Sequence, residues 1–183
     1  MSAASRAVLI SVGCVVAAPL VLFGSYDAIA FQPRRTQISA VIDSVPLAEV
    51  EVPNLRRLLV VSLNGRTAST AARELIAALP VPLQGRGQLG WHATYALWTG
   101  LVALHLSETD QLRVFLATAY LGNDNRGFAA ASQRIFGRPL DRLSLPELAT
   151  LVEISRTPSV AFADPEHLAR GRDRLLAKLQ AGT

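Results

Sequence analysis

Residues 107–151 read SETDQLRVFLATAYLGNDNRGFAAASQRIFGRPLDRLSLPELATL and carry the strongest secondary-structure signal of the chain. Ser107 stands three residues before Asp110, which is the spacing of a helix N-terminal cap. Ser144 stands three residues before Glu147, a capping box in which each side chain satisfies a backbone N–H of the first turn. Apolar residues follow both caps at helical spacing. The stretch therefore predicts helices that begin near Ser107 and Ser144.

The sequence on either side is also helical in pattern. Asp164-Pro165-Glu166 combines a capping oxygen, a proline at the first helical position and an acid near the positive end of the helix dipole. Upstream, residues 69–79 predict a helix that ends at Pro80, and the nearly all-apolar run 91–106 predicts a core helix buried on most sides. Because strand signals are few, residues 58–183 are expected to form a small, mainly α domain.

The N-terminal region predicts a membrane segment. No charged residue occurs from Ala7 to Tyr26, and this length suffices to cross a hydrocarbon core that needs roughly 20 residues. We expect a short tail at 1–6, a transmembrane anchor at 7–26 and a C-terminal domain outside the cytoplasm. A cleaved signal peptide is the alternative, because residues 28–30 have the small-x-small form of a cleavage site. Cys14, the single cysteine, lies inside the apolar run, so no intramolecular disulfide can form.

Two further segments have mixed patterns. Residues 27–57 contain several prolines and short runs that alternate apolar with polar residues, which is typical of a juxtamembrane linker with short extended pieces. Residues 55–63 fit either the start of a buried helix or a short strand. The mixed pattern of residues 27–57 places a linker between the predicted anchor and the domain.

Size and charge restrict the class of protein. With 183 residues the chain has room for one modest domain plus an anchor, and a second enzyme domain does not fit. The formal charge of +4 favours membrane lipid as a partner, although a solvated Arg-rich surface explains the charge equally well. No nucleic-acid motif is present. The histidines His92, His105 and His167 are scattered without acidic neighbours at ligand spacing, so no metal or cofactor is expected.

The stretch from Ser107 to Lys178 resembles the C-terminal half of the family 51 peptidoglycan glycosyltransferases, which form the transglycosylase domain of class A penicillin-binding proteins. That family has a helix opening with Ser-Lys-Asp-Glu, then Tyr-Leu-Asn, Tyr-Gly, an Ala-rich helix and Tyr-Phe-Gly-Lys. The counterparts here are Ser107-Glu108-Thr109-Asp110, Tyr120-Leu121-Gly122, Arg126-Gly127, Ala129-Ala130-Ala131 and Ile135-Phe136-Gly137-Arg138. The family's later Leu-Ser-Leu-x-Glu and Pro-Ser pieces also occur in order, at 143–147 and 158–159.

The resemblance implies a lysozyme-like helical domain at the bacterial cytoplasmic membrane, acting in cell-wall synthesis. It also implies candidate substrate-binding residues in the retained motif, namely Tyr120, Gly122, Arg126, Gly127 and Arg134. The implied partners are the lipid-linked peptidoglycan precursor or other cell-wall synthesis proteins.

The family's catalytic carboxylates have no counterpart in this reading. The first family glutamate, the proposed general base, aligns with Leu63, and the second aligns with Tyr95 with an uncertainty of one turn. Neither side chain can accept a proton in that role. The family's Gly-Gly-Ser-Thr-Ile-Thr-Gln-Gln signature also has no counterpart. No catalytic residue is therefore predicted, although Glu74 could serve as a substitute base.

Three functions follow from these observations. The first is a degenerate glycosyltransferase, a pseudoenzyme that acts as a membrane-bound accessory or regulator in cell-wall synthesis. The second is an active, truncated glycosyltransferase that polymerises lipid-linked disaccharide with an unconventional base. The third is a non-enzymatic envelope protein whose resemblance to the family is structural only.

Overall fold

The computed structural model describes residues 18–82 and 87–181, and the chain divides into two units, 1–36 and 37–183. In the first unit, residues 18–26 are helical and are followed by a π-helical segment, Asp27–Phe31, and a 3-10 turn, Gln32–Arg34. The side-chain amide of Gln32 donates to both carboxylate oxygens of Asp27, at 3.1 and 3.0 Å. This local pairing ties the two irregular turns together.

The predicted anchor at 7–26 falls mostly on residues 1–17, which lie outside the described part of the chain, as does Cys14. In the described ranges, no helix combines the length and the apolar character needed to span a membrane.

Eight helices of at least nine residues follow along the described chain. They are α1 (Arg35–Asp43), α2 (Leu55–Leu63), α3 (Thr67–Ala78), α4 (Gly87–His105), α5 (Glu108–Thr118), α6 (Phe128–Phe136), α7 (Leu145–Arg156) and α8 (Pro165–Ala181). Shorter helical turns occur at Leu47–Val50, Leu140–Arg142 and Pro158–Ala161. Residues 18–82 and 87–181 contain no strand, and the mainly α prediction is confirmed.

The three predicted helix starts are present. The Ser107 hydroxyl oxygen accepts a bond from the Asp110 N–H at 3.2 Å, and helix α5 begins at the next residue. The Asp164 carboxylate accepts from the His167 N–H at 2.8 Å, one residue before α8. Ser144 forms the expected capping box with Glu147, and α7 begins at Leu145. Local side-chain chemistry therefore determines where these helices start.

The extended pieces predicted within residues 27–57 are wrong. Helix α1 and the turn Leu47–Val50 occupy much of this segment, and residues 55–63 form helix α2 rather than a strand. Ile38 and Ile42 are buried one helical turn apart, so the apolar residues follow a helical period. Arg113 of α5 donates to the Val45 carbonyl at 2.9 Å, and this bond anchors the segment to the domain.

Two groups of packed helices form the core of the second unit. Helix α3 packs against α4 and α5, while α2, α7 and α8 pack against one another. Leu55, Leu58 and Leu59 on α2 are fully buried, as is Leu75 on α3. Burial of each such leucine contributes about 1.5–3 kcal/mol relative to exposure. The end of α2 and the start of α3 are thereby fixed between the two groups.

Helix α4 differs from its prediction in extent and in burial. It begins at Gly87, upstream of the predicted start at residue 91, and its buried side chains lie on one face, at Thr94, Trp98, Leu101 and Val102. Leu89 is 83% exposed and Leu104 is 66% exposed. Because these leucines lie off the packed face, the prediction of burial on most sides is wrong.

Substitution of Ser144 should destabilise the domain. Ser144→Ala removes the hydroxyl that donates to Glu147 at 2.7 Å, and loss of such a cap costs about 1 kcal/mol. The Ser144 hydroxyl and backbone N–H also lower the pKa of Glu147, so this stabilisation is present above the ordinary glutamate range and is lost as the pH falls through the lowered value. Thermal unfolding measures both effects. Ser159→Ala, at an exposed position, is the control, and equal melting curves for wild type and Ser144→Ala would contradict the cap.

Candidate functional site

A cavity of about 230 Å³ opens where α3, α4, α5 and α7 meet the end of α2. We call it the arginine cleft, and it is lined by Ser62, Leu63, Arg66, Ser69, Thr70, Arg73, Tyr95, Phe115, Ser155 and Arg156. The walls are supplied by residues nearly one hundred positions apart in sequence. Packing of the two helix groups therefore creates the cleft.

Leu63 and Tyr95 both line this cleft. These are the two positions that the resemblance aligned with the family's glutamates. The Tyr95 ring is stacked on the Trp91 ring, with centroids 5.2 Å apart and an interplanar angle of 13°. Leu63 and Tyr95 thus occupy the positions of the family's two glutamates, and neither carries a carboxylate.

The electrostatic character of the cleft is positive. Three of its lining residues are arginines, Arg66, Arg73 and Arg156, and none is Asp or Glu. All fourteen acidic residues of the chain lie within the described ranges, so no undescribed carboxylate can complete the lining. The cleft is suited to binding an anionic group and lacks a carboxylate positioned for general base catalysis.

Arg156 is held by a buried carboxylate behind the cleft wall. Glu153 is 2% exposed, and its carboxylate accepts from the Arg156 guanidinium at 2.8 Å. Gly171 of α8 lies against Glu153, and a β-carbon at position 171 would overlap its side chain. The ion pair thus fixes Arg156 to the α7–α8 contact, and the glycine provides the space for it.

Glu74 is a second carboxylate beside the cleft. The guanidinium of neighbouring Arg73 lies 3.6 Å from the Glu74 carboxylate, whose side chain is 13% exposed. Burial raises the pKa of Glu74, while Arg73, Arg126 and the Thr118 hydroxyl lower it only in part. The Glu74 side chain is not among those that line the cleft.

The motif residues predicted to bind substrate form a tight turn. Tyr120 and Arg126 pair as an isolated antiparallel bridge, and the Arg126 guanidinium lies 5.8 Å from the Tyr120 ring centroid. Gly122 and Gly127 have φ values of 76° and 80°, and a β-carbon at Gly122 would come within 2.6 Å of the Phe162 ring. Arg134 lies on α6. None of these five residues lines the arginine cleft.

A second, larger cavity of about 620 Å³ adjoins the arginine cleft, with which it shares Ser62, Arg66 and Arg156. We call it the basic groove. Its lining is completed by Val61, Asn64, Arg174, Leu175 and Lys178. It runs from the end of α2 to the C-terminal half of α8.

Comparison with known proteins establishes the family. The sequence profile of the family described as Transglycosylase matches residues 62–180, which is more than half of the 183-residue chain. The chain belongs to the transglycosylase family. A relative from Cupriavidus necator, named as a putative transglycosylase, is 35% identical over 77 residues. That alignment covers 41% of this chain and 32% of the relative, so the match spans about a third of the relative's length.

The transglycosylase match begins at residue 62, well upstream of Ser107 where the resemblance was first read. The matched region therefore includes residues 62–106, in which no counterpart of the glycine-rich signature was expected. Ser69 and Thr70, which line the arginine cleft, lie in this matched region. They were not predicted as site residues, because it is the packing of α3 against α4 and α5 that places them in the cleft.

Glu74→Gln should change how stability depends on pH. A raised pKa means that the folded state binds the proton more tightly than the unfolded chain, so the free energy of unfolding falls as the pH rises from 4.5 through the raised value. The neutral glutamine removes this loss. The free energy of unfolding of Glu74→Gln, minus that of wild type, should therefore increase from acidic to neutral pH. Urea unfolding at the two pH values measures this difference. Glu166→Gln, whose side chain is 87% exposed in the parent protein, is the control. A pH-independent difference would contradict the burial of Glu74.

Gly171→Ala should destabilise the α7–α8 contact, because the added methyl group overlaps the Glu153 side chain. Overpacking of this kind typically costs about 1–3 kcal/mol. Glu153→Ala removes the overlapping atoms, so the Gly171→Ala cost should shrink in that background. Chemical denaturation of the four proteins measures the coupling. Strictly additive costs would mean that Gly171 does not accommodate Glu153.

Proposed function

We propose that this transglycosylase is a degenerate family 51 peptidoglycan glycosyltransferase that binds lipid-linked precursor without polymerising it. The observation that supports this proposal best is the lining of the arginine cleft, in which Leu63 and Tyr95 stand beside three arginines and no carboxylate. In this proposal the protein acts as an accessory or regulatory component of bacterial cell-wall synthesis.

The chemistry of glycosyl transfer supports the absence of turnover. A positioned carboxylate normally takes the proton from the attacking hydroxyl, and general base catalysis typically contributes about 10²–10⁴ in rate. Hydroxyls dominate the other polar groups of the cleft, at Ser62, Ser69, Thr70 and Ser155. A hydroxyl without a neighbouring base is a poor proton acceptor at neutral pH. The cleft therefore lacks a group that could activate an acceptor sugar.

The same lining supports binding. Guanidinium groups present paired N–H donors that match phosphate oxygens, so Arg66, Arg73 and Arg156 are suited to the diphosphate of a lipid-linked sugar. A cavity of 230 Å³ is below the usual range of about 300–1,000 Å³ for small-molecule sites. We infer that it takes the anionic linkage and the adjoining sugar, with the rest of the precursor outside.

The location proposed for the protein agrees with this substrate class. The uncharged run from Ala7 to Tyr26 would hold the domain at the cytoplasmic membrane, where a lipid-linked precursor resides. The lysozyme-like arrangement implied by the family remains part of the same proposal.

An active enzyme is the second candidate, and Glu74 is the observation that favours it. Its carboxyl group, on a side chain that is 13% exposed, has a raised pKa, as general bases often do, and lies beside Arg73 of the cleft. Against this role, Glu74 is paired with Arg73 and does not itself line the cleft. A purely structural resemblance is less favoured, because the family match is a match of sequence.

A polymerisation assay tests the proposal. The full chain, given lipid-linked disaccharide pentapeptide and a divalent metal ion, should make no glycan strands, because no carboxylate faces the reacting groups. Leu63→Glu alone should not restore activity, since the second position, Tyr95, would still lack an acid. Strand formation is measured by gel separation of labelled product.

The contrary result is equally definite. Robust strand formation by the unmodified protein, abolished by Glu74→Gln and retained by Glu166→Gln, would identify Glu74 as the base. That result would replace the degenerate enzyme by the active one.

A further inference from the structure

The basic groove has an unusual charge distribution. Its lining contains four cations, Arg66, Arg156, Arg174 and Lys178, and no carboxylate. Arg174 and Lys178 lie one turn apart on α8, a spacing at which like charges repel. An anion placed between such charges relieves their mutual repulsion.

The ion pairs along α8 differ between the residues that line the groove and the residues outside it. Arg170 pairs with Glu166 at 3.3 Å, and Arg172 pairs with Asp173 at 2.8 Å. Arg174 and Lys178, which face the groove, form no ion pair among the described residues. In the described part of this helix, the acids thus pair with arginines outside the groove and not with the cations that line it.

Two of the groove cations are held in place by the protein. Arg156 bonds to the 2%-exposed Glu153 at 2.8 Å, and the Arg66 Nε–H donates to the Leu63 carbonyl at 3.3 Å. Each contact fixes one side of a guanidinium. Because the guanidinium carries five N–H donors, further donors remain for a ligand. The groove is therefore partly pre-organised.

We propose that the basic groove, which shares Arg66 and Arg156 with the arginine cleft, is a second anion site that binds a linear polyphosphate chain. The cations come from the α2–α3 connection, the end of α7 and two successive turns of α8, over a cavity of 620 Å³. Several linked anionic groups match this distribution better than one ion. Three of the four cations are arginines, whose planar donor forks suit phosphate oxygens.

Titration calorimetry of the full chain with linear inorganic polyphosphate tests the site. The double variant Arg174→Gln/Lys178→Gln should bind roughly five- to tenfold more weakly, as expected for two solvent-accessible charge pairs. The matched control Arg170→Gln/Arg172→Gln removes two charges from the same helix outside the groove and should bind within about twofold of wild type. Arg73→Gln, which alters only the arginine cleft, should also leave binding unchanged. Melting curves establish that each variant is folded.

Three results would overturn the proposal. Equal weakening in the matched control would mean that net charge alone attracts the polymer. Loss of binding in Arg73→Gln, with the groove variant unaffected, would place the polymer in the arginine cleft. Equal affinity for inorganic phosphate or for poly-glutamate would mean that the groove does not select a phosphate chain. Failure of lipid-linked precursor to bind the cleft would leave this proposal intact, because Arg174 and Lys178 line the groove and not the cleft.

Discussion

The buried ion pair between Glu153 and Arg156 is the constraint that connects the fold to both cavities. A carboxylate that is 2% exposed requires a partner, because an unpaired buried charge is strongly destabilising. Arg156 provides that partner while its side chain, 49% exposed, lines both the arginine cleft and the basic groove. Gly171 permits the arrangement by leaving room for the carboxylate between α7 and α8. The contact between the last two long helices thus also positions the cation shared by the two cavities.

The described residues that line the two cavities include arginines but no carboxylates. The two carboxylates next to the cavities form ion pairs with lining arginines. Glu153 pairs with Arg156, and Glu74 pairs with Arg73. The arginines themselves line the cavities. An anion in either cavity would therefore meet arginines, while no carboxylate is part of the described lining. In the proposed function, this separation is the reason why the cleft binds an anion and does not carry out glycosyl transfer.

Local patterns in the sequence predicted the helix starts well, because a cap depends on a few adjacent residues. Ser107, Ser144 and Asp164 each bond to a backbone or side-chain group three residues away. The cleft could not be derived in the same way, since Arg66 and Arg156 are ninety positions apart and meet only when α2, α3 and α7 pack. Leu63 and Tyr95 were singled out through the family resemblance, and the structure places both in one cavity. The role of Gly171 in leaving space for Glu153 could not be predicted. A glycine inside a helical pattern does not indicate which residue packs against it.

The residues of the retained motif show the limit of reasoning from a resemblance. Tyr120 to Gly127 form a turn whose glycines are required by positive φ angles and close contacts, so the motif has a structural explanation in this chain. The positive charge of Arg126 lowers the pKa of Glu74, which is a carboxyl group outside the cleft lining. The polar residues that do line the cleft, such as Ser69 and Thr70, come from the upstream part of the family match.

The most direct test of the account is an equilibrium binding measurement with labelled lipid-linked disaccharide on the full chain, followed by chemical analysis of the recovered ligand. We expect saturable binding that weakens when Arg73 is replaced by glutamine, with the ligand recovered unchanged after long incubation. No binding, or binding that Arg73→Gln leaves unaltered, would contradict the assignment of the arginine cleft as the site for the precursor.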